Sequence, residues 1–519
     1  MMKRLSAFVL AACMLLTGCG VIQDSRGVGR EVPVSTLDLS AIDEMVSTKK
    51  AAVYFLNSES PTLMADVRLL NVQQDKNPAE AAVQALLTGP SNESMKAVAP
   101  EGTSLDFIEF SNGVANIYLK YGGQPMAADQ KYTLELAIAN TVTDVLGATS
   151  VNVFYNGLRE GFQGYPYAPL KKQTVTVDEA FANAKAKYVP ADTADTENNT
   201  AGSPSPSPLP DMMNTESVPE EPKPYDINTV LYFISASGDY ILPEVRLITY
   251  MVTGTGDNTA SYVSAIIDEL KKGPKNTGTM KSPLLSGAAL IGTPVVVGND
   301  DSTVDIELHL SSMPSDSAYT GSKEMQLSFA ALVYSITGFV PGAKGIRFFA
   351  GNTPIQAISG SQSAKRSNFY GYVGSSAPLY FQYANSGLLL EVSRSMEQGK
   401  IWSPLERVRA LMRGPQTGDG SNVTTIQYTG MTENDILSVN VAGDTAYVNL
   451  SEAFKEACNG LSAKNEMLLV YAIVNTVTAM DGINKVQFLV EDEQTESLAG
   501  HLCISDPFLR NYGIIKNNS

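Results

Sequence analysis

Ala52-Val53-Tyr54-Phe55-Leu56 is a strand that returns as Leu231-Tyr232-Phe233 and again as Leu379-Tyr380-Phe381. Each tyrosine is followed, 14 residues on, by an arginine: Arg68, Arg246 and Arg394. An amphipathic helix then stops at a Gly-Pro pair, Gly89-Pro90, Gly273-Pro274 or Gly414-Pro415, and each copy closes with a long apolar helix and a short strand. A repeat longer than about 100 residues is a tandem domain, not one of the shorter units that stack into solenoids. No copy carries an obvious reactive constellation, so the plan points to a protein built to bind or assemble.

The first copy shows the local chemistry best. Ala52 to Leu56 and Met64 to Leu70 read as strands joined by a polar loop. Asn77-Pro78-Ala79-Glu80 is a helix start, with Asn77 as N-cap and Pro78 at the first helical position. Ser403-Pro404-Leu405-Glu406 repeats the device in the third copy. At each Gly-Pro pair the glycine supplies a left-handed turn and the proline forbids continuation. Phe107 to Phe110 turns through Ser111-Asn112-Gly113 into Ala115 to Leu119, and Ile436 to Val441 turns through Gly443-Asp444 into Ala446 to Leu450. A helix over about 131–146 and a strand over 151–155 complete the copy. The order is β-β-α-β-β-α-β, an α+β plan that lays two helices on one face of a small mixed sheet.

Lys3 and Arg4 precede an apolar run, Leu5 to Leu16, too short for a stable membrane span and suited to a secretory signal. The run ends Leu16-Thr17-Gly18-Cys19, which resembles the bacterial lipobox; the Cys19 thiol would receive diacylglycerol and become the mature N-terminus. The acyl chains would be the membrane anchor, on the extracytoplasmic face. A formal charge of −17 argues against nucleic acid and against flat binding to anionic lipid, both of which want a basic patch. Cys458 and Cys503 are candidates for a disulfide in an oxidising compartment; two buried thiols is the other reading. With His309 and His501 the only histidines and no Cys-x-x-Cys, neither a metal nor another cofactor is expected.

The chain divides into a signal over 1–18, a tether over 19–48, and modules over 49–170, 225–358 and 378–497. Residues 171–224 read as partly helical and then, around Ser203-Pro204-Ser205-Pro206-Ser207-Pro208, as a disordered spacer rich in proline and acidic residues. Such a spacer would leave the first module mechanically separate. The junction over 359–377 is short, and its Phe369, Tyr370 and Tyr372 suggest packing against a neighbour, joining modules two and three. Residues 498–519 form a tail.

Taken together, these residues resemble the GerMN domain of sporulation and spore germination. The resemblance rests on the Tyr-Phe strand, the second-strand arginine, the Gly-Pro helix end, and Asn-Thr-Val-Thr in the second helix, at Asn140-Thr141-Val142-Thr143 and Asn475-Thr476-Val477-Thr478. The middle copy departs, with Ser335-Ile336-Thr337-Gly338 as its counterpart and an insertion around 253–259. The resemblance implies a ring-building-motif-like fold and an extracytoplasmic lipoprotein of Gram-positive bacteria. It also implies contact with envelope or sporulation proteins, self-association included, and no catalysis. Actinobacterial relatives assist a sensor kinase, which leaves an accessory regulator as another reading.

Arg68, Arg246 and Arg394 are the leading candidate binding residues, each able to present a guanidinium to a carboxylate or phosphate. The structural alternative pairs each with an acid of its own module. Asn140 and Asn475 either line a groove or are satisfied buried amides. In each Tyr-Phe pair one ring belongs to the core. Asn299-Asp300-Asp301-Ser302-Thr303-Val304-Asp305 superficially suggests calcium but lacks an EF-hand's glycine and glutamate, and reads as a turn. Neither histidine lies in a repeated motif and no Gly-x-Ser-x-Gly elbow occurs, so an enzyme is not expected. The expected role is a lipid-anchored scaffold acting in sporulation or germination. The rival is a binder of wall or spore polysaccharide through Tyr165, Tyr167, Tyr370 and Tyr372.

Overall fold

The structure is a computed structural model. It describes residues 46–186, 221–355 and 362–516, apart from 160, 163–164, 167, 254–257, 285–289, 302, 312–321, 385, 417–418 and 426–429. The signal, Cys19, most of the tether and the Ser203–Pro208 run lie outside the described residues. From residue 46 onward the described chain belongs to one compact unit.

In the first module, β1 (Val46–Asn57) and β2 (Leu63–Gln73) form an antiparallel hairpin. Helix α1 (Pro78–Thr88) starts where Asn77 accepts a hydrogen bond from the Ala79 amide, and ends at Gly89 with φ of +105°. A two-residue strand, β3 (Met95–Lys96), then joins the other edge of β1, giving the order β2-β1-β3. A second hairpin, β4 (Thr103–Ser111) and β5 (Val114–Tyr121), turns at Asn112 and Gly113, whose φ values of 48° and 75° suit the tight turn read from the sequence. Helix α2 (Ala128–Leu146) crosses over to β6 (Ser150–Tyr155), which runs parallel to β5. Apart from β3, the order is the expected one. The strands divide between two sheets, one antiparallel and one mixed, with α2 packed on β1 and α1. A short ladder, β7 (Gly161–Phe162) with β8 (Tyr165–Pro166), and α3 (Val177–Ala186) follow.

The second module repeats this with β9 (Lys223–Ser235), β10 (Ile241–Val252), α4 (Thr259–Lys271), β11 (Met280–Lys281), β12 (Val295–Gly298), β13 (Val304–Leu310), α5 (Lys323–Thr337) and β14 (Ala343–Ala350); β15 (Thr353–Ile355) extends its mixed sheet. The third uses β16 (Gly374–Tyr383), β17 (Leu389–Glu397), α6 (Pro404–Met412), β18 (Val423–Thr424), β19 (Ile436–Ala442), β20 (Thr445–Leu450), an additional helix α7 (Glu452–Cys458), α8 (Ala463–Val477) and β21 (Lys485–Val490). All three Gly-Pro glycines take positive φ, 105°, 80° and 81°. Between β12 and β13 the Asn299 amide donates to the Thr303 carbonyl, closing the connection as a turn does. Among the described residues no helix is long and apolar enough to cross a membrane.

The tail packs onto the third module over its described residues, 498–516. Strand β22 (Phe508–Leu509) pairs with β21, and the buried Gln487 amide donates to the Ile504 carbonyl. The Glu466 carboxylate on α8 is fully buried and accepts from the amides of Leu498, Ala499, His501 and Leu502 and from the Ser497 hydroxyl. Burial pushes its pKa up, but these donors, led by the Ala499 amide, outweigh that and hold it below the usual 4.5. A depressed folded pKa means that the stabilisation is complete above 4.5 and is lost as pH falls through the folded value. Hydrogen exchange of the 497–502 amides is therefore expected to speed up, relative to intrinsic rates, on acidification below pH 4.5. Glu466→Ala should give the same loosening at neutral pH, with about 3 kcal/mol of lost stability.

Candidate interaction site

Each repeated arginine bridges three features of its own module. Arg68 donates to the Gly89 carbonyl at 2.7 Å and to Ala85 at 3.3 Å, pairs with Asp66 at 2.7 Å, and lies 5.1 Å from the Phe55 ring centre. Arg246 donates to the Gly273 carbonyl at 2.7 Å, pairs with Glu244 and, at 2.6 Å, with Glu269, and lies 5.4 Å from Phe233. Arg394 donates to the Gly414 carbonyl at 3.2 Å, pairs with Asp419, and lies 5.2 Å from Phe381. The guanidinium thus occupies the orphan carbonyls of the first helix and covers the phenylalanine of the Tyr-Phe pair. These three arginines are engaged inside their modules.

The tyrosine half of each pair faces a second, equally regular arrangement. The amides of Tyr54, Tyr232 and Tyr380 donate to the hydroxyls of Thr141, Ser335 and Thr476 at 3.1, 2.9 and 3.2 Å. The true counterpart of Asn140-Thr141 in the middle module is therefore Tyr334-Ser335, one residue earlier than the alignment by sequence. Asn140 exchanges two hydrogen bonds with the main chain of Gln173, and Asn475 does the same with Asn511. Each asparagine thereby fastens the segment that follows its module. From those segments Lys172, Arg366 and Arg510 reach over the Tyr54, Tyr232 and Tyr380 rings at 5.1, 6.0 and 5.0 Å.

In the middle module Tyr334 stands where the others have asparagine, and around it the first module docks. Arg366, in a 3-10 turn over Arg366–Tyr372, is buried 3.9 Å from the Tyr334 ring centre and 4.5 Å from Phe154 of the first module. It donates to the Tyr334 carbonyl at 2.9 Å and to the Tyr118 hydroxyl at 2.9 and 3.1 Å. Tyr118 and Tyr334 both donate to the Glu109 carboxylate at 2.9 Å. Asn116 donates to Glu109 at 3.1 Å and to the Tyr232 hydroxyl at 2.7 Å, and Asn152 donates to Asn116 at 2.9 Å. Burial alone would lower the Arg366 pKa, but the hydroxyls of Tyr118, Tyr232 and Tyr334 and the Glu109 carboxylate raise it, so the guanidinium stays charged. Burial drives the Tyr118 and Tyr334 phenols well above 10.

This network corrects the expectation that the spacer leaves the first module mechanically separate. A long linker permits separation but does not impose it when complementary buried faces are present. Tyr370 stacks edge-on against Phe107 and Tyr118, and Phe369 is buried with Tyr372 against it, so the junction aromatics serve packing. The third module adds contacts of its own: Ser375 donates to the Phe110 carbonyl and Gln398 accepts from its amide. Tyr165 and Tyr167 have side chains outside the described residues. Cys458 is buried at the end of α7 and Cys503 is exposed on the tail; both are free thiols, and burial pushes the Cys458 thiol up to about 12. His309 and His501 contact the carbonyls of Gly351 and Leu461. Among the described residues no three His, Cys, Asp or Glu side chains converge as metal ligands would.

Sequence reasoning missed Glu109, Tyr118, Tyr334 and Arg366. One signal was present: Lys172 and Arg366 each stand 32 residues past the equivalent helix positions Asn140 and Tyr334, and Arg510 stands 35 past Asn475.

The sequence model of the Germane family, described as sporulation and spore germination, matches residues 52–160, 230–356 and 378–496. No curated protein matches the chain. Among solved structures, a protein from Clostridium perfringens aligns at 28% identity over 26% of this chain and 87% of its own, with a TM-score of 0.18. The tandem GerMN domains of the sporulation protein GerM from Bacillus subtilis align at 11% identity over 56% and 100%, with a TM-score of 0.22. The first of those domains alone aligns at 19% over 26% and 97%, at 0.21. At such TM-scores these alignments add nothing to the fold described above.

Removing one member of a buried ionic network costs about 3–5 kcal/mol. Arg366→Ala is expected to cost that much in urea unfolding and to raise hydrogen exchange in β4 and β5, the strands it ties to the second module. Tyr334→Phe keeps the ring and loses one hydrogen bond, for about 1–2 kcal/mol.

Proposed function

The chain belongs to the Germane family of sporulation and spore germination, and from that premise we propose that it is a non-enzymatic scaffold, lipid-anchored through Cys19 outside the cytoplasm. It acts in sporulation or germination through protein–protein contacts of its modules, with further copies of itself and with other envelope proteins. The observation that carries this reading is the buried network around Arg366, in which one module's mixed sheet seats on the tyrosine side of the next. A module of this kind can use its sheet face as an interface.

The strands that carry the arginines support the same reading. Arg68 and Arg246 point inward, so their neighbours point out. Val67 and Leu69 are 56% and 73% exposed, and Leu247 and Met251 on β10 are 60% and 46% exposed. The third module carries Ser393 and Ser395 at the matching places. Apolar residues grouped on an open sheet face favour association. The polysaccharide reading loses Tyr370 and Tyr372, whose rings are spent in packing.

Crosslinking on intact cells, followed by mass spectrometry of what is recovered, tests the scaffold. Self-crosslinks and crosslinks to other envelope proteins are expected, and Leu69→Asp combined with Leu247→Asp should abolish the self-crosslinks while leaving expression intact. Recovery of wall fragments or a sensor kinase alone would overturn the reading. Cys19→Ala is expected to release the protein from the membrane fraction.

A further inference from the structure

A cleft of about 890 Å³ lies between the first and third modules. Gln74 bridges its two sides, donating to the Val439 carbonyl at 2.9 Å and accepting from the Val441 amide at 3.2 Å. The lining is mainly apolar, with Phe110, Ile401, Trp402, Met480 and Ile483 among its walls. The volume is that of a small-molecule site.

One buried charged group in this lining has no counter-charge among the described residues. Arg407 on α6 is 7% exposed, and its Nε donates to the Ile401 carbonyl at 2.7 Å. Among the described residues its Nη1 is buried without a hydrogen-bond partner. Two carboxylates share the cleft, but Asp481 is paired with Lys49 and Asp75 is bonded to Ser403. Burial with no compensating charge lowers the Arg407 pKa to about 10. The other arginines that the repeat buries have carboxylates; among the described residues this one has none. A buried guanidinium left in this state is costly unless something from outside completes it.

The chemistry of that completion follows from the geometry. With Nε occupied, the free edge of the guanidinium is Nη1 and Nη2, which matches the two oxygens of a carboxylate. One uncompensated cation matches one negative charge. The apolar walls ask for a hydrocarbon or aromatic body. We propose that this cleft binds a small amphiphilic carboxylate, its charged end on Arg407 and its apolar body against Trp402, Phe110 and Ile483. Such a ligand touches both modules, and its binding would fasten the first to the third. The site is independent of the scaffold reading and would stand if that reading fell.

Trp402 is the chain's single tryptophan, so its emission reports on the cleft alone. The test titrates the purified chain with decanoate, decanol and decyltrimethylammonium, three probes with the same tail. Decanoate is expected to change the Trp402 emission saturably and to bind at least about tenfold tighter than decanol, the size of one charge-assisted hydrogen bond; decyltrimethylammonium should bind worst. Arg407→Met should bring decanoate to the affinity of decanol and leave decanol unchanged. It should also melt about level with the parent without ligand, because the uncompensated buried charge it removes offsets the one hydrogen bond to Ile401 that is lost. Equal binding of decanoate and decanol by the parent, or no saturable change with either, overturns the proposal without recourse to any variant. So does undiminished decanoate binding by Arg407→Met.

Discussion

A guanidinium held between a phenylalanine ring and the carbonyl that ends a helix is the constraint on which every module rests. Arg68, Arg246 and Arg394 each join the second strand, the first strand and the first helix through one planar group. The geometry accounts for three sequence motifs at once. The arginine must follow the tyrosine at fixed spacing because the hairpin register sets which inward position lies over the phenylalanine, as the pairing of Ala51 with Arg68 and of Ala377 with Arg394 shows. The glycine must adopt positive φ so that the helix stops with its carbonyl turned to the guanidinium. A lysine, with a single point of charge, could not hold carbonyl and carboxylate together over a ring.

The tyrosine side of the same strand is where the modules diverge from one another. The second helix binds the tyrosine amide through a hydroxyl in every module. One residue earlier, asparagine in the first and third modules holds the module's own following segment, whereas Tyr334 holds Arg366 and reaches Glu109 of the first module. The irregularity of the middle copy is thus its interface. Glu109 and Arg366 do not touch as a simple ion pair; the Tyr118 hydroxyl stands between them, accepting from Arg366 and donating to Glu109. A buried charged network of this kind fixes one docking arrangement, because displaced geometry would strand a buried charge.

Much of the plan was legible in the chain itself. The element order, the Asn77 and Ser403 caps, the Gly-Pro helix ends and the Asn112-Gly113 turn are local chemistry, specified by residues within a few positions of one another. The division of the strands into two sheets, the short strand after the first helix, and helix α7 were not legible, because a two-residue pairing or a seven-residue helix carries too little periodicity. Alignment by sequence sets Ser335 opposite Asn140, one residue late, because serine is the small polar residue there and tyrosine is not.

The sequence by itself determined the repeat, the α+β order and the membership of the family, since each follows from short-range spacing and from residues that recur. Only the tertiary structure decided that the first module packs against the other two, that Glu466 gathers the tail, and that Arg407 is buried with no carboxylate beside it among the described residues. Glu109 and Arg366 are 257 positions apart, and nothing in either neighbourhood announces the other. Burial and pairing are properties of the space around a charge, and that space exists only once distant segments have closed upon it.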